Sequence, residues 1–479
     1  MTIKTAVADL TRRRFLGCTA AGAALVASYP ALAAPQAPPA RPLVAAAGRQ
    51  PLAFGTATHL VDTWNYGGAV PGPLLRYSVG DRLRVDFENR LPEPTSVHWH
   101  GLRPPNAMDG AAPLTQPPVQ PGARMTYEFD LTDAGTYWYH THFRGWNQQD
   151  RGLYGVLIVD ERNPPQVDRD LVLVIDDWVV TRDFTLDTSF GDMHSAAHAG
   201  RLGNVATVNN SSDLAIGLSA GERVRLRLVN VANAQIFALK FPGHAPVLIA
   251  EDGNPVTPRK LGDEHLVLGP GQRADLILDA TAEPGATLQL DADTLTDQLH
   301  LARFVYGDAP GGSGLAGRPV APLEPNARPT PDLANARRIP LTMEGGAMGR
   351  MSGAMMGGRM MGMRELVAAG RVWAFNGVAG GMEAPLATLK TGETVVVDMV
   401  NATAFPHAMH LHGTHFREID RNGSPVDGAW RDTTVMAPED RVSVVFVAEQ
   451  PGKWMFHCHM IEHQSAGMMA YVEIEGERA

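Results

Sequence analysis

Cysteine is nearly absent from this chain of 479 residues, which contains only Cys18 and Cys458. Cys18 lies in an N-terminal segment that we expect to be cleaved off, so a disulfide within the mature chain is excluded. The body of the chain also lacks an apolar run long enough to cross a membrane. We therefore expect a mature protein that is not embedded in a membrane, with Cys458 as its single thiol.

Positive charge is scarce as well. The chain has 41 Lys and Arg against 51 Asp and Glu, a net charge of −10. Removal of residues 1–33 takes away four basic residues and one acidic residue, which leaves 37 against 50 and a net charge of −13. An acidic surface repels the phosphate backbone, so no nucleic-acid partner is expected.

The N-terminus has the pattern of an export signal. The motif "TRRRFLG" (11–17) precedes an apolar, alanine-rich stretch, and "ALAA" (31–34) offers a small-residue cleavage site. This arrangement resembles a twin-arginine signal peptide. It predicts the twin-arginine export machinery as a partner and the periplasm as the location of the mature protein.

Two sequence elements occur three times. The first is "GDRLRVDFEN" (80–89), repeated as "GERVRLRLVN" (221–230) and "GETVVVDMVN" (392–401). Apolar residues alternate along each copy, as in strands with one buried face. Each copy is followed by a second strand-like element, "PGARMTYEF", "PGQRADLIL" or "APEDRVSVVF". Three copies of one β module predict three β-sandwich domains.

Composition shifts mark the borders of these domains. Residues 308–338 are rich in Pro, Gly and Ala and have the character of a linker, and "NPPQ" begins at residue 163. We predict a signal peptide (1–33), a first domain (45–163), a second domain (164–308), a linker (309–342), a Met-rich segment (343–363) and a third domain (364–479).

The outer two copies share four H-x-H pairs that the middle copy lacks. "HWHG" (98–101) begins 18 residues after Gly80, and "HLHG" (410–413) begins 18 residues after Gly392. Further on, "GTYWYHTH" (135–142) parallels "GKWMFHCH" (452–459). Such matched pairs are hard to obtain by accident. The eight histidines concerned are His98, His100, His140, His142, His410, His412, His457 and His459.

Strand geometry separates these histidines from the thiol. Side chains at positions i and i+2 of a strand share a face, so His457 and His459 point one way and Cys458 the other. Eight imidazoles are too many for one ion, which predicts a cluster of two or three ions of copper, zinc, iron or nickel.

Cys458 then needs partners on its own face. His407 lies three residues before His410, His463 follows Cys458 by five residues, and Met468 follows His463 by five. Two His, one Cys and a distant Met form the ligand set of a blue-copper electron-transfer site. One tripeptide would then connect two metal sites.

Together, "HWHG", "HTH", "HAMHLHG" and "HCHMIEHQSAGM" resemble the four copper motifs of multicopper oxidases, over the whole mature chain. The resemblance implies three cupredoxin-like Greek-key sandwiches, and four copper ions that couple one-electron oxidations of a substrate to reduction of O2 to water. It implies a type 1 site at His407, Cys458, His463 and Met468, and type 2 ligands at His98 and His410. The implied type 3 ligands are His100, His140, His142, His412, His457 and His459.

One acidic residue is added by the same resemblance. Asp109 matches, by its spacing from His98, an acid near the type 2 copper, where it can relay protons or orient a water. The alternative is a turn former in "MDG". A second acid that often follows the last type 1 histidine is replaced here by Gln464.

The substrate is indicated by methionine. Residues 343–363 hold eight of the 20 methionines, and thioethers select Cu(I). The segment resembles the Met-rich inserts of copper-efflux oxidases, which favours Cu(I) as donor with additional activity on phenols. Its glycines predict a mobile cover over the type 1 site rather than a long helix. Thr403 and Phe405 stand where such enzymes often have Asp and Met, which puts their usual substrate-copper site in doubt.

Other hypotheses remain open at this point. A general laccase-like phenol oxidase, a copper-free cell-division homologue of the same fold, a copper store and a copper nitrite reductase are the alternatives. Asp432 in "WRDT" has either a role near the type 1 site or an ordinary surface hydrogen bond. Met193, His194 and His198 can add weak copper binding. The remaining histidines, His59, His244, His265, His300 and His415, match no motif.

Overall fold

The computed structural model describes residues 40–476. The predicted signal peptide lies outside these residues. Within them the fold is all-β, as the alternating patterns predict, and its seven sheets follow one another along the chain as three sets. The described residues contain no helix that is both long enough and apolar enough to cross a membrane.

The first set of strands forms two four-stranded sheets, of order β2-β1-β4-β6 and β3-β8-β7-β5. Strand β4 contains the first of the three Gly-acid repeats. Its apolar residues Leu83, Val85 and Phe87 are all buried in the core of this set. The strands are β1 (Arg41–Phe54), β2 (Ala57–Tyr66), β3 (Gly72–Ser78), β4 (Arg82–Asn89), β5 (His98–His100), β6 (Arg124–Asp130), β7 (Gly135–His140) and β8 (Tyr154–Asp160). A 3-10 turn covers Asn106–Met108, and the short helix α1 covers Gly145–Gln148.

The second set forms a six-stranded sheet, β10-β9-β12-β17-β14-β15, and a five-stranded sheet, β11-β19-β18-β13-β16. The helix α2 (Met193–Ala197) lies between β9 and β10 in the chain and contacts the third set, where the Ala347 N–H donates to the Ala197 carbonyl. The strands are β9 (Arg169–Trp178), β10 (Val205–Val208), β11 (Leu214–Leu218), β12 (Arg223–Asn230), β13 (Phe237–Lys240), β14 (Val247–Glu251), β15 (Asn254–Lys260), β16 (Leu266–Leu268), β17 (Arg273–Asp279), β18 (Thr287–Asp293) and β19 (Gln298–Tyr306).

The third set has a seven-stranded sheet, with the path β23-β20-β25-β31-β27-β28 and β29 beside β27, and a five-stranded sheet, β24-β33-β32-β26-β30. The strands are β20 (Arg337–Gly345), β21 (Gly353–Met356), β22 (Arg359–Gly362), β23 (Trp373–Phe375), β24 (Ala387–Lys390), β25 (Thr394–Asn401), β26 (His407–Leu411), β27 (Phe416–Arg421), β28 (Ser424–Pro425), β29 (Trp430–Arg431), β30 (Thr433–Met436), β31 (Arg441–Val447), β32 (Gly452–Cys458) and β33 (Met469–Glu475). The helices are α3 (Met363–Ala368) and α4 (Ile461–Ser465), and a 3-10 turn covers Leu333–Asn335.

Each set closes over an apolar core of its own. The predicted borders at 163/164 and 308/309 fall in the gap from Asp160 to Arg169 and in the gap from Tyr306 to Arg337. The predicted linker, 309–342, overlaps β20 (Arg337–Gly345), which pairs with β25 of the third set ahead of the predicted start at residue 364. The first strand already begins at Arg41, ahead of the predicted start at residue 45. The domain boundaries themselves remain a prediction.

The Met-rich segment has a different form from the mobile cover that its glycines suggested. Strands β21 and β22 pair as an antiparallel hairpin, with Gly353 opposite Gly362. Ala354 and Met361 are buried in a small apolar cluster with Leu366, while Met348 is 79% exposed. The buried side chains fix a hairpin, and no long helix forms in the segment.

Candidate metal centre

Two pairs of strands carry the histidines. In the first set, β5 pairs with β7, and His98 stands opposite His140. In the third set, β26 pairs with β32, and His410 stands opposite His457. The side chains between the histidines alternate to the other face, as predicted: Trp99 lies in the core of the first set. The H-x-H spacing thus places imidazoles on one face of each strand pair, and the two faces meet.

Three imidazoles converge through the same ring atom. His457 Nε2 lies 3.0 Å from His412 Nε2 and 3.3 Å from His142 Nε2. The Nδ1 of His457 lies 2.9 Å from the Cys458 carbonyl, and the Nδ1 of His412 lies 3.0 Å from the Asp109 carboxylate. Because these oxygens accept hydrogen bonds from Nδ1–H, the Nε2 atoms of His412 and His457 carry no proton. Their lone pairs face each other. Converging lone pairs are an arrangement for a metal ion.

A second group of three lies beside it. The ligand atoms of His100, His140 and His459 lie within 4.8 Å of one another. His140 donates its Nδ1 proton to the Thr141 carbonyl at 2.8 Å, which leaves Nε2 free. His100 is turned the other way, since its Nε2 lies 3.1 Å from Asp432 Oδ1 and its Nδ1 is free. This group therefore offers an Nδ1 ligand from His100.

His98 and His410 complete the cluster. The Nδ1 of His98 lies 2.8 Å from the Asp109 carbonyl, and the Nδ1 of His410 lies 2.9 Å from the Asp432 carbonyl. Their rings stack on neighbours, His98 on His412 at 3.9 Å and His410 on His100 at 3.8 Å. A third position for an ion is thus bounded by His98 and His410.

The free nitrogens supply a direct test of whether metal fits here. Buried ring nitrogens without a hydrogen-bond partner cost free energy unless something else binds them. In the described structure such atoms include His98 Nε2, His100 Nδ1, His140 Nε2, His410 Nε2 and both nitrogens of His459. An imidazole lone pair is a ligand for copper, so the side chains present fit a cluster of copper ions.

The thiol lies on the opposite face of β32, as predicted. Cys458 Sγ lies 3.6 Å from His407 Nδ1 and 3.7 Å from His463 Nδ1, and these two nitrogens are 3.1 Å apart. Met468 is completely buried, and its carbonyl accepts the Cys458 N–H at 3.1 Å. This second site has two His and one Cys as candidate ligands. Met468 lies between α4 and β33, directly before the strand that pairs with β32.

Hydrogen bonds at the far ring nitrogen, Nε2, orient both histidines next to the thiol. His407 Nε2 lies 2.8 Å from the Thr403 hydroxyl, and His463 Nε2 lies 2.7 Å from the carbonyl of His198 on the end of α2. Because each Nε2–H has an acceptor, each Nδ1 lone pair is directed at the thiol side. Trp373 covers both rings, at 5.2 Å from His407 and 4.6 Å from His463.

The electrostatics suit neutral ligands. Burial and then the neighbouring imidazoles hold the pKa of His140, His412 and His457 well below the usual value. Burial lowers the pKa of His463 to about 4 and raises the pKa of the Cys458 thiol to about 12. The histidines are thus unprotonated and ready to bind metal, whereas binding at Cys458 must displace a proton.

Asp109 lies inside the cluster, as its spacing predicted. It is 1% exposed, and its Oδ2 lies 3.0 Å from His412 Nδ1 while its backbone carbonyl accepts from His98. One residue thus orients ligands of two different ion positions. Its suggested part in proton transfer remains a proposal.

Arg273 is a residue that the sequence analysis did not single out, and Asp432 is one that it placed either near the type 1 site or on the surface, whereas the side chain is fully buried. Asp432 lies at the histidine cluster rather than near Cys458, with Oδ1 3.1 Å from His100 Nε2. Arg273, from β17 of the second set, donates to both of its carboxylate oxygens, at 2.9 and 2.7 Å. His415, matched to no motif, lies 3.6 Å from the same carboxylate. Arg273 recurs in the repeat as Arg124 and Arg441, so only the structure distinguishes it.

A solvent cleft of about 340 Å³ reaches the cluster from one side. Its walls include His140, His142 and Gln464, and Gln464 Nε2 lies 3.5 Å from His142 Nε2. The cleft gives a small molecule such as O2 a way to the histidines. An amide in this position cannot donate a proton as a carboxylic acid would.

All eight paired histidines are brought together, as are His407, Cys458 and His463. The unmatched histidines are elsewhere with two exceptions, His415 beside Asp432 and His198 beside His463. His194 stacks on His198 with ring centroids 4.1 Å apart.

Known proteins share these features. Three segments of the chain match the sequence profiles of a family described as multicopper oxidase, at residues 54–164, 170–287 and 358–477.

Individual relatives span nearly the whole chain. It is 31% identical over 488 residues to the multicopper oxidase MmcO of Mycobacterium tuberculosis, covering 94% of this chain and 91% of the relative. It is 25% identical over 533 residues to a copper resistance protein A homologue of Pseudomonas syringae pv. tomato, covering 85% and 88%. A solved multi-copper oxidase from Pseudomonas thermotolerans has a TM-score of 0.78 at 34% identity, covering 91% of this chain and 98% of that one.

Proposed function

The chain belongs to the multicopper oxidase family, and we propose that it oxidises Cu(I), and small phenols more slowly, in the periplasm as part of copper tolerance. Membership confirms the expected cupredoxin-like fold, the copper cofactor and the oxidase activity with O2 as acceptor. The substrate, the copper-tolerance role, twin-arginine export and the ligand assignments are parts of the proposal.

We assign type 1 copper to His407, Cys458, His463 and Met468, and type 2 copper to His98 and His410. The type 3 pair is assigned to His142, His412 and His457 on one side and His100, His140 and His459 on the other. The bound copper ions supply one-electron redox chemistry at the thiol and O2 reduction at the cluster. The chain contributes neutral imidazoles held by Asp109, Asp432 and backbone carbonyls.

The observation that carries the substrate is a cleft beside the type 1 ligands. It has a volume of about 440 Å³ and is lined by Met348, Met351, Glu344, Glu439 and Thr403 among others. Thioethers select Cu(I), and the two carboxylates outnumber the single cation of the lining, Arg350, so the cleft has a net negative charge that attracts a cation. The Thr403 hydroxyl lies 2.8 Å from His407 Nε2, so the cleft adjoins the type 1 site.

Access to the type 1 site also favours a small donor. His463 and His407 are both fully buried. Trp373 lies over their rings, and Gly346 of the Met-rich segment lies so close to Trp373 that a Cβ there would be 2.0 Å from the indole. A bulky organic donor therefore cannot touch the imidazoles in the described structure, which favours a small donor that binds in the adjoining cleft.

The test replaces the sulfur without changing the packing. Met343 and Met361 are buried, so deleting residues 343–363 would also damage the fold. Met348→Leu/Met351→Leu keeps the volume and removes both thioethers from the cleft. We expect kcat/KM for Cu(I) to fall about tenfold or more, since soft ligands are lost. The visible spectrum and copper content should be retained.

The matched control is Met125→Leu, at the edge of the first core. It should leave Cu(I) kinetics unchanged. If the cleft variant also keeps wild-type kcat/KM for Cu(I), the cleft has no part in oxidation of Cu(I). If wild type itself shows no Cu(I)-dependent O2 uptake, the proposal returns to an unspecified laccase-like phenol oxidase.

A further inference from the structure

The helix α2 places two histidines four residues apart beside the type 1 site. His194 lies in α2 and His198 directly follows its last residue, with the His198 N–H still donating to the His194 carbonyl at 3.1 Å, so the two side chains lie one helical turn apart. Their rings are stacked with centroids 4.1 Å apart. The stacked rings do not themselves direct two lone pairs at one point, but His194 is exposed, and rotation of its side chain would let both imidazoles bind one ion, as in helical H-x-x-x-H sites.

The tautomer of His198 is suited to a ligand. Its Nδ1 lies 2.8 Å from the His194 carbonyl, and this oxygen can only accept a hydrogen bond. Nδ1 therefore carries the proton, and Nε2 keeps a free lone pair. Metal-binding histidines commonly donate their other N–H to a carbonyl in this way.

Two methionines lie on residues adjoining the pair or its backbone contacts. Met193 precedes His194 and is 37% exposed. The Met-rich segment docks on the same helix, since the Ala347 N–H donates to the Ala197 carbonyl at 2.6 Å. The next residue, Met348, is 79% exposed. The surroundings thus combine imidazole with soft sulfur, a ligand chemistry that suits Cu(I).

The helix also contacts the type 1 ligands directly. The carbonyl of His198 accepts from His463 Nε2 at 2.7 Å, and the carbonyl of Ala196 accepts from Trp373 Nε1 at 2.7 Å. An ion on the His198 ring would be joined to His463 through a single residue and one hydrogen bond. The cleft at Met348 and Met351 reaches the other type 1 histidine instead, through the hydrogen bond between Thr403 and His407.

We propose that His194 and His198 form an additional copper-binding site, at which Cu(I) docks and delivers its electron through His198 to His463. Each Cu(I) leaves as Cu(II) after giving one electron. Four such electrons, four protons and one O2 give two waters through the family's oxidase activity. The proposal rests on the proposed Cu(I) oxidation for its role in turnover, whereas the binding site can be measured independently.

The binding experiment uses the copper-loaded protein under nitrogen. Wild type and His194→Ala/His198→Ala are equilibrated with Cu(I) buffered by bicinchoninate, and the bound copper per chain is counted. The same titration with Ag(I), a redox-inert analogue, excludes oxidation as the cause of a difference. We expect the double variant to bind one ion fewer than wild type, with both metals.

Two controls distinguish the pair from other effects. His265→Ala/His300→Ala removes two exposed imidazoles of the second set of strands and should bind as many ions as wild type. The backbone carbonyl of His198 remains in the double variant, so its type 1 visible band should persist. A lost band would indicate a disturbed His463, and His198→Gln with His194→Gln would then replace the alanines in the count.

Kinetics links the site to turnover. The ratio of kcat/KM for Cu(I) to kcat/KM for a phenol should fall about tenfold or more in the double variant. Equal ion counts in variant and wild type would overturn the site. An extra ion in wild type without any Cu(I)-dependent O2 uptake would retain the site and contradict the proposed function. Loss of the ion with an unchanged kinetic ratio would overturn its role as the docking position.

Discussion

Arg273 donates two hydrogen bonds to Asp432, from Nη1 to Oδ1 at 2.9 Å and from Nη2 to Oδ2 at 2.7 Å. Both side chains are almost completely buried. Asp432 in turn orients His100, so the middle set of strands, which supplies none of the assigned ligands, acts on the cluster through one guanidinium. The carboxylate is kept ionised, since Arg273 and His100 offset the burial and hold its pKa well below the usual range.

Asp432→Asn should therefore weaken the cluster. An amide oxygen at the Oδ1 position can still accept from His100 Nε2 and Arg273 Nη1, but the NH2 group then faces Arg273 Nη2, which is also a donor. The alternative rotamer turns the NH2 group toward His100 and Arg273 Nη1 and is no better. Loss of such a supporting contact typically lowers metal affinity by about 10–100-fold. Copper per chain after dialysis against a chelator, together with the type 2 EPR signal, measures the change. Asp279→Asn, which affects a less buried pair with Arg223, is the control. Full copper retention in Asp432→Asn would refute the positioning role.

Cys458→Ser should abolish the intense visible band of the copper-loaded protein and its turnover. The thiolate is the donor of copper–thiolate charge transfer, and a hydroxyl cannot replace it. The cluster ligands point to the other face of β32, so the type 2 EPR signal should remain. An absorption spectrum and an EPR spectrum of the same sample decide this. A strongly blue serine variant would show that the type 1 assignment is wrong.

Asp109→Asn separates proton transfer from orientation. An amide oxygen can still accept from His412 Nδ1, so copper content should be normal, but an amide cannot exchange a proton at neutral pH. Since Gln464 offers no acid on the side of the cleft, we expect kcat to fall about 100-fold. Steady-state O2 uptake over a range of pH is the measurement. Wild-type turnover at full copper occupancy would exclude the relay.

Asp176 gives the fold a pH dependence remote from the cluster. Burial and then the neighbouring Asp177 raise its pKa from 3.8 to about 8. A folded pKa above the unfolded value means stability that is complete below the unfolded pKa and is lost as pH rises through the folded pKa. Asp176→Asn removes this loss. The Tm of the variant minus that of wild type should therefore increase from about pH 5 to about pH 8 and then level off.

The matched variant for that experiment is Asp62→Asn, whose side chain is 85% exposed. It controls for loss of a surface charge. A Tm difference for Asp176→Asn that stays constant across the same pH range would contradict the raised pKa.

Local sequence patterns predicted much of this architecture. Alternation in the three Gly-acid repeats predicted the strands β4, β12 and β25, and the H-x-H spacing predicted which imidazoles share a face. The strands formed where they were predicted because the period of a strand determines side-chain direction without reference to the rest of the fold. The expectation of a single buried face was wrong for β12, where Arg225 and Arg227 on the polar face are buried as well.

Contacts between distant segments were beyond such patterns. The role of Arg273 depends on a strand of the middle set reaching Asp432, 159 residues later in the chain. The hydrogen-bond partner of His463 is the backbone carbonyl of His198. Every residue type has such a carbonyl, so the sequence gives no sign of this contact. The hairpin at residues 353–362 was missed because glycine lowers helix propensity but gives no direct sign of the buried Ala354 and Met361.

The stoichiometry of Cu(I) oxidation tests the central claim most directly. Copper-loaded wild type is supplied with Cu(I) in an oxygen electrode, with Cys458→Ser as the blank for uncatalysed oxidation, and peroxide is assayed in the same sample. The account predicts four Cu(I) consumed per O2 above the blank, with no peroxide. Two Cu(I) per O2 with peroxide formed, or uptake equal to that of the blank, would contradict it.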